Sequence, residues 1–276
     1  MQLLAMLAIA LFMFLVSAFA TAPLMVAVGG QVSRTGLLLS QALTQILTFA
    51  VPALAVALIY YRGTTAQYLK LDFGGQKWLY ALAGVVVMAL VLPAVDWLTE
   101  WNKGWDFGRV GEMLRSLQEQ TEGVLKTIVA TDTVGGLLGN LLVVALVPAV
   151  CEELFFRAGL QNLLQRWFRT PHAAVVLTAL IFSLAHGELF AFMPRFLLGL
   201  VLGYLYVCSG SLLTNVLAHF VNNALVVVLY WLSARGIADI DPEASMGFGA
   251  LLTVCCTLAA AALFAVTFMK KPHQDS

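Results

Sequence analysis

Charged side chains are scarce in this sequence of 276 residues. Asp, Glu, Lys and Arg make up 11% of the chain, against about 25% in ordinary soluble domains, and the formal net charge is zero. This balance excludes the basic surface on which nucleic-acid binding depends. The four cysteines lack the spacing of a zinc ribbon or of a secreted disulfide framework, and they fit small apolar positions in helices.

Long apolar segments are what the chain has in abundance. Hydrophobic residues make up 61% of the sequence, and about 20 successive apolar residues cross the hydrocarbon core of a bilayer as a helix. We therefore predict an all-α integral membrane protein, a polytopic bundle of about eight transmembrane helices that forms one domain over residues 1–276. The predicted helices cover residues 3–28, 38–61, 78–98, 134–156, 173–190, 192–208, 212–232 and 248–269.

The distribution of Lys and Arg predicts the orientation of these helices, because positive residues in short loops stay on the cytoplasmic side. The loops after the second and fourth helices and the tail with Lys270 and Lys271 are basic and fall on one side. We expect that side, with both termini, to be cytoplasmic, and the short loops suggest a bacterial cytoplasmic membrane. The opposite side receives a mixed-charge segment that predicts an amphipathic surface helix near residues 109–129. The first helix lacks the basic region of a signal peptide, so we expect it to be retained.

Few polar side chains remain inside the predicted membrane helices. Polar and charged groups in a bilayer core are costly and usually functional, so these residues are the candidates for a site. They are Asn140, Glu152, Glu153, His186, Glu188, Asn215, His219, Asn222 and Asn223.

The adjacent glutamates Glu152 and Glu153 point about 100° apart on a helix, so they cannot both face one partner. Arg157 follows Glu153 by four residues, a spacing that allows an ion pair. We predict that Glu153 is held ionised by Arg157, while Glu152, without such a partner, acts as a general base. Carboxylates that are removed from water become better bases near neutral pH. The alternative is that the pair merely marks the end of the fourth helix.

The two histidines in this set have both a catalytic and a structural interpretation. His219 and Asn223 share one helix face, and two donors on one face can stabilise an oxyanion. His186, like the other two, could instead serve as a hydrogen-bonding group between helices. A helix that begins at Leu212 places His219 only about 10 Å from its start. A tilted or broken helix, or a buried inner loop, would then be needed to bring it level with the other residues.

Three motifs follow one another in this half of the chain: Glu152-Glu153-Leu-Phe-Phe-Arg157, Phe182-Ser-Leu-Ala-His186 and His219-Phe-Val-Asn222-Asn223. They resemble the Glu-Glu-x-x-x-Arg, Phe-x-x-x-His and His-x-x-x-Asn motifs of the CPBP family. This family contains the CAAX prenyl proteases of the second type and Abi-like, bacteriocin-processing or immunity-associated membrane proteins. The resemblance covers about residues 141–228, and residues 134–232 are expected to form the catalytic core. Ala158 stands where family members often have Gly, which changes packing and removes no catalytic group.

The resemblance implies an intramembrane endopeptidase that hydrolyses a membrane-associated or lipidated peptide. Glu152 would activate a water as general base, and His186 would orient that water or share its proton. His219 and Asn223 would form the oxyanion site. The supporting residues would be Glu153 and Arg157. The expected partners are therefore membrane lipid and a membrane-associated peptide or protein, without nucleic acid.

The resemblance favours a mechanism without a cofactor, and zinc is the alternative. Glu152, His186 and His219 are a plausible zinc set, although the chain has no His-Glu-x-x-His helix. Two other functions remain: a proton-coupled transporter, since buried Glu and His also form proton relays, and a catalytically silent immunity or scaffold protein. The intact motifs favour the protease, because a relay requires no oxyanion pair and a silent relative would be free to lose a catalytic group.

Overall fold

The computed structural model describes residues 1–25, 33–72, 74–237 and 244–268, and the regular secondary structure of these ranges is entirely helical. The all-α prediction is thus confirmed. The principal helices are α1 (Gln2–Met25), α2 (Arg34–Tyr60), α3 (Lys77–Lys103), α4 (Gly108–Val129), α5 (Val134–Phe168), α6 (Pro171–Ala185), α7 (Phe192–Ser209), α8 (Leu212–Ala234) and α9 (Ala250–Phe268).

Seven helices within the described ranges are long and apolar enough to cross a bilayer, which makes the chain an integral membrane protein. They are α1, α2, α3, α5, α7, α8 and α9. The predicted span at 173–190 corresponds to α6, which has 15 residues, fewer than the roughly 20 that a bilayer requires. The predicted count of about eight thus becomes seven spans and one shorter apolar helix. Residues 26–28 and the tail from 269, with Lys270 and Lys271, lie outside the described residues, so the orientation stays a prediction.

The fourth predicted helix was placed at 134–156, but α5 continues to Phe168. Polar residues beyond the predicted end are buried and bonded to α7. Gln161 donates to the carbonyl of Gly203 at 3.0 Å, and Asn162 donates to a tyrosine hydroxyl of α7 at 2.9 Å. Polar side chains that are satisfied by a neighbouring helix can continue a membrane helix, which is why the predicted end was wrong.

Wide π-helical turns interrupt α2 and α5 just before a proline. Ile46–Ala50 precedes Pro52, and Leu141–Leu146 precedes Pro148. A proline has no amide N–H, and its ring clashes with the carbonyl four residues earlier, so a wider turn at that carbonyl relieves the clash. A third π segment, Glu153–Gln161, contains no proline and carries most of the first motif. Single π turns are frequent at functional sites.

α5 lies at the centre of the bundle and packs against both α2 and α8. Its apolar side chains join one cluster with α2 and the start of α8, and a second with α1 and α6. α3 and α9 pack together with α7 on another side of the molecule. The charged residues of the first motif are therefore surrounded by helices on every side.

Small residues allow α6 and α7 to pack closely. A Cβ atom added at Gly199 would lie 3.0 Å from the Cβ of Ala179, and one at Gly203 would lie 2.7 Å from Val175. Small residues four apart let membrane helices approach closely. This contact fixes the position of α6, and with it His186 at the helix end.

The turn between α7 and α8 is buried beneath the segment 64–72. Ser211 is 0% exposed, and the backbone N–H of Leu212 donates to the carbonyl of Lys70 at 2.9 Å. α8 therefore begins inside the protein. This buried turn is what brings His219, only seven residues after Leu212, to the depth of the two glutamates.

α4 is the amphipathic helix that was predicted near residues 109–129. Arg34 Nε donates to the carbonyl of Ile128 at 2.8 Å, and Asn140 Nδ2 donates to the carbonyl of Val129 at 3.0 Å. Arg34 Nη2 also donates to Asn140 Oδ1 at 2.6 Å. Asn140, one of the candidate polar residues, thus anchors the end of α4. Exposed apolar residues recur along one face of this helix: Val110, Met113, Leu117 and Val124.

Candidate active site

A fully buried ion pair lies at the centre of the site. Glu153 and Arg157 are both 0% exposed, and Glu153 Oε2 lies 3.1 Å from Arg157 Nε. The angle does not meet hydrogen-bond geometry, so the contact is an ion pair, and neither terminal nitrogen of Arg157 has a hydrogen-bond partner among the described residues. The Phe182 ring centre lies 5.1 Å from the guanidinium carbon. The pairing that the spacing predicted is confirmed.

Glu153 also links α5 to α8 through two further contacts. Its Oε1 lies 3.0 Å from His219 Nδ1, and its Oε2 accepts a hydrogen bond from Asn215 Nδ2 at 3.1 Å. Because an ionised carboxylate only accepts, Nδ1 of His219 carries a proton in this arrangement. Asn215 was a candidate polar residue without an assigned role, and the structure makes it a ligand of Glu153.

Glu152 lines a cavity of about 440 Å³, whereas neither Glu153 nor Arg157 lines it. Glu152 is 5% exposed, and its Oε1 accepts a hydrogen bond from Gln45 Nε2 at 3.1 Å. The prediction concerned an ion-pair partner such as Arg157; the partner found is the neutral amide of Gln45 from α2, which the sequence did not indicate. His219 Nε2 lies 3.9 Å from Glu152 Oε2, so this imidazole stands between the two carboxylates.

His186 lies at the C-terminal end of α6 and lines the same cavity. Its Nδ1 lies 2.8 Å from the carbonyl oxygen of Phe182. A carbonyl only accepts, so Nδ1 carries the proton and Nε2 is left as an acceptor. Glu152 and Arg195 are both close enough to act electrostatically on this imidazole.

Phe182, the first residue of the second motif, supports both histidines. Its ring centre lies 4.8 Å from that of His186 and 6.2 Å from that of His219, with the rings edge-to-face in each case. Its carbonyl orients His186 as well. The sequence provided the motif position of Phe182 but no indication of this double contact.

Asn223 lines the cavity one helical turn after His219 in the sequence of α8. Its Oδ1 accepts a weak hydrogen bond from Asn222 at 3.4 Å, which leaves its amide N–H groups available. His219 itself is 6% exposed and does not line the cavity. The structure thus places three of the four predicted catalytic side chains on the cavity wall and the fourth directly behind Glu152.

The rest of the cavity wall combines charge with apolar surface. Glu188 and Arg195 form an ion pair on this wall. Gln41 and Gln45 contribute from α2. Apolar side chains of α4, α5 and α8 complete the wall: Val124, Leu125, Ile128, Val129, Val144, Pro148, Val226 and Val227. The wall thus combines charged groups and polar amides with apolar side chains.

The side chains do not fit the zinc alternative. Nδ1 of His219 is engaged by Glu153 and Nδ1 of His186 by a backbone carbonyl, an arrangement that metal-binding histidines also show, so only their Nε2 atoms could be ligands. No group of three His, Cys, Asp or Glu side chains within the described part of the chain is arranged to hold a metal ion. Zinc binding requires such a convergent set at short distances.

Comparison with known proteins agrees with this geometry. No curated protein and no solved structure matches the chain. The family model of the Rce1-like type II CAAX prenyl endopeptidases matches residues 134–225. That segment contains α5, α6, α7 and the part of α8 with His219 and Asn223. Residues 134–225 are therefore an Rce1-like domain of the CPBP family of type II CAAX prenyl endopeptidases, which are membrane peptidases.

Proposed function

We propose that this protein is an intramembrane endopeptidase that hydrolyses a peptide bond of a membrane-associated or lipidated peptide. The observation that carries the proposal is the cavity of about 440 Å³ in which Glu152, His186 and Asn223 meet. The buried pair of Glu153 and Arg157 lies directly behind it. Residues 134–232 form the catalytic core in this proposal, within a single membrane domain over 1–276.

Glu152 is the general base of the proposed reaction. It takes a proton from a water as the water oxygen attacks the scissile carbonyl carbon, and it later returns that proton to the departing amine. The hydrogen bond from Gln45 holds one carboxylate oxygen, which leaves the other for the water. His186 orients the water through Nε2, since Nδ1 is fixed by the Phe182 carbonyl.

His219 and Asn223 stabilise the oxyanion in this mechanism. Asn223 has amide N–H groups available at the cavity wall. His219 donates through Nδ1 to Glu153, and its Nε2 lies on the side of Glu152, 3.9 Å from Oε2, where an N–H would meet the oxyanion. Preorganised donors of this kind stabilise the negative charge of a tetrahedral intermediate in a water-excluded site. Glu153 and Arg157 are positioning residues, because they act through His219.

The proposed substrate reaches the site in the membrane. The cavity is formed by membrane-spanning helices and by the amphipathic α4, so its surroundings suit a peptide with a lipid or an apolar segment. The family description supports a prenylated peptide with a C-terminal CAAX sequence as the first probe. The bacterial cytoplasmic membrane and the cytoplasmic position of both termini are part of the proposal.

Cleavage by purified protein in detergent tests this function. The probes are a farnesylated CAAX peptide and a library of quenched fluorescent peptides, with Glu152→Ala and His186→Ala as variants. We expect each variant to lose about 100-fold or more in kcat, the usual contribution of a general base. Glu100→Ala is the matched control. Glu100 is an exposed carboxylate that lies far from Glu152 in the sequence, so this variant should cleave like wild type.

Three outcomes would overturn the proposal in part or as a whole. Equal cleavage by wild type and Glu152→Ala would remove the catalytic assignment. Complete loss of activity with a chelator, restored by zinc, would contradict the mechanism without a metal. No cleavage of any probe by wild type would favour the silent scaffold or the transporter.

A further inference from the structure

A groove of about 600 Å³ lies where the first turn of α1 meets the last turns of α5, and it shares no lining residue with the reaction cavity. On its wall, Leu4 is 72% exposed and Trp167 is 69% exposed. Both helices are membrane spans, and tryptophan is enriched where such spans leave the hydrocarbon. We call this the α1–α5 groove. Its lining includes Gln2, Leu3, Leu4, Leu163, Arg166 and Trp167.

Arg166 is held at this groove by a series of side-chain contacts. Its Nη1 donates to the Tyr61 hydroxyl, and that hydroxyl donates to Gln2 Oε1 at 2.8 Å. The guanidinium carbon lies 4.8 Å from the Tyr61 ring centre and 5.3 Å from that of Tyr68, and the two rings stack at 3.9 Å. Because Gln2 lines the groove, these contacts place the guanidinium beside it.

This guanidinium has no carboxylate partner. None of the ion pairs within the described ranges involves Arg166. Arg166 is exposed, and only its Nη1 donates to another described residue. The remaining nitrogens, Nε and Nη2, form the edge with which an arginine binds phosphate in a bidentate manner. The guanidinium is therefore fixed on one side and open to an anion on the other.

The apolar part of the groove selects among the possible anions. Leu3, Leu4 and Leu163 offer apolar surface next to the charge. A free phosphate would satisfy the guanidinium but would leave this surface uncovered, whereas a phospholipid carries its phosphate joined to hydrocarbon chains. Basic pockets between membrane helices bind anionic headgroups in this way.

We propose that the α1–α5 groove binds one anionic phospholipid, with its phosphate on Arg166 and an acyl chain along Leu3, Leu4 and Leu163. Arg166 lies about 21 Å along α5 from Glu152, so the lipid does not contact the reacting groups. It bridges the start of α1 and the helix that carries Glu152. This site is independent of the proposed function, and its test requires no cleavage.

Lipid titration of the purified, delipidated protein tests this site, with native mass spectrometry to count the bound lipids. The probes are dioleoylphosphatidylglycerol and, as the zwitterionic comparison, dioleoylphosphatidylcholine. We expect wild type to bind the first phosphatidylglycerol more tightly than phosphatidylcholine. Arg166→Ala should weaken that binding about five- to tenfold and lose the preference. Arg62→Ala, which removes an exposed arginine outside the groove, is the matched control and should keep the wild-type affinity.

Thermal unfolding gives a second measurement, because a ligand that binds the folded state raises its stability. Phosphatidylglycerol should raise the Tm of wild type and of Arg62→Ala more than that of Arg166→Ala. Leu4→Ser serves if Arg166→Ala does not fold, because Leu4 is largely exposed. It should weaken the binding of phosphatidylglycerol about two- to fivefold through the loss of apolar contact.

Equal binding of phosphatidylglycerol by wild type and Arg166→Ala overturns the inference. An equal loss in Arg62→Ala does so as well, since it would indicate a diffuse effect of surface charge. Displacement of the lipid by inorganic phosphate at an equal concentration would assign the groove to the free anion and would likewise overturn the proposal.

Discussion

Replacing Glu153 by glutamine removes the carboxylate that contacts the buried Arg157 guanidinium. Both side chains are 0% exposed, so water does not screen the remaining charge. Breaking a buried pair by removing one partner typically destabilises a protein by about 3–5 kcal/mol. The amide oxygen of the new glutamine can still accept from His219 or Asn215, which places Glu153→Gln near the lower end of that range. Since total stabilities are about 5–15 kcal/mol, we expect a clear fall in folded yield as well as in rate.

The free energy of unfolding in mixed micelles measures this effect in Glu153→Gln, Arg157→Met and the double variant. The double variant should lose much less than the sum of the single losses, because neither charge is then left alone. Glu100→Gln is the control, since its pair with Lys103 is about half exposed and such pairs contribute about 0–1 kcal/mol. Unchanged stability of Glu153→Gln, or additive losses in the double variant, would refute the role of this ion pair.

Three further predictions concern packing around the site. Gly199→Ala should lose about 1–3 kcal/mol of stability, because the new methyl group would lie 3.0 Å from Ala179. Gly123→Ala, whose methyl group meets open space on α4, should instead gain up to about 1 kcal/mol. Thermal unfolding measures the stability of both variants. Asn140→Leu should speed hydrogen exchange at the C-terminal end of α4, and protection equal to wild type would exclude the proposed anchor. Phe182→Leu should lower kcat by roughly 10- to 100-fold through misplaced histidines, and an unaltered kcat would argue against that support.

The first motif allowed more of the site to be predicted than any other part of the sequence. The pairing of Glu153 with Arg157 is local, so the four-residue spacing was sufficient to predict it. The hydrogen bond from Gln45 to Glu152 joins side chains 107 positions apart, and no local pattern encodes it. A glutamine inside a membrane-spanning helix is the available signal, and a candidate set of charged residues, histidines and asparagines does not include it.

The predicted helix ends are wrong where polar residues find hydrogen-bond partners inside the bundle. Gln161 and Asn162 have the low hydropathy that is typical of a helix end near water, but α7 supplies their hydrogen-bond partners. Conversely, α6 is apolar yet has only 15 residues. The sequence pattern thus predicts the number of apolar segments well, while the length of each helix depends on contacts that only the tertiary structure reveals.

The wall of the cavity has a consequence for how fast any substrate is encountered. Val124 of α4 and Val226 of α8 line the cavity and are 45% and 41% exposed, so this part of the wall is open. For the membrane-associated peptide of the proposed function, an opening among membrane helices means that the substrate arrives by diffusion in two dimensions. The quantity that saturates the enzyme is then the mole fraction of substrate in the lipid or micelle. Adding detergent at constant amounts of enzyme and peptide lowers the mole fraction of peptide in the micelles, and this dilution alone should slow cleavage.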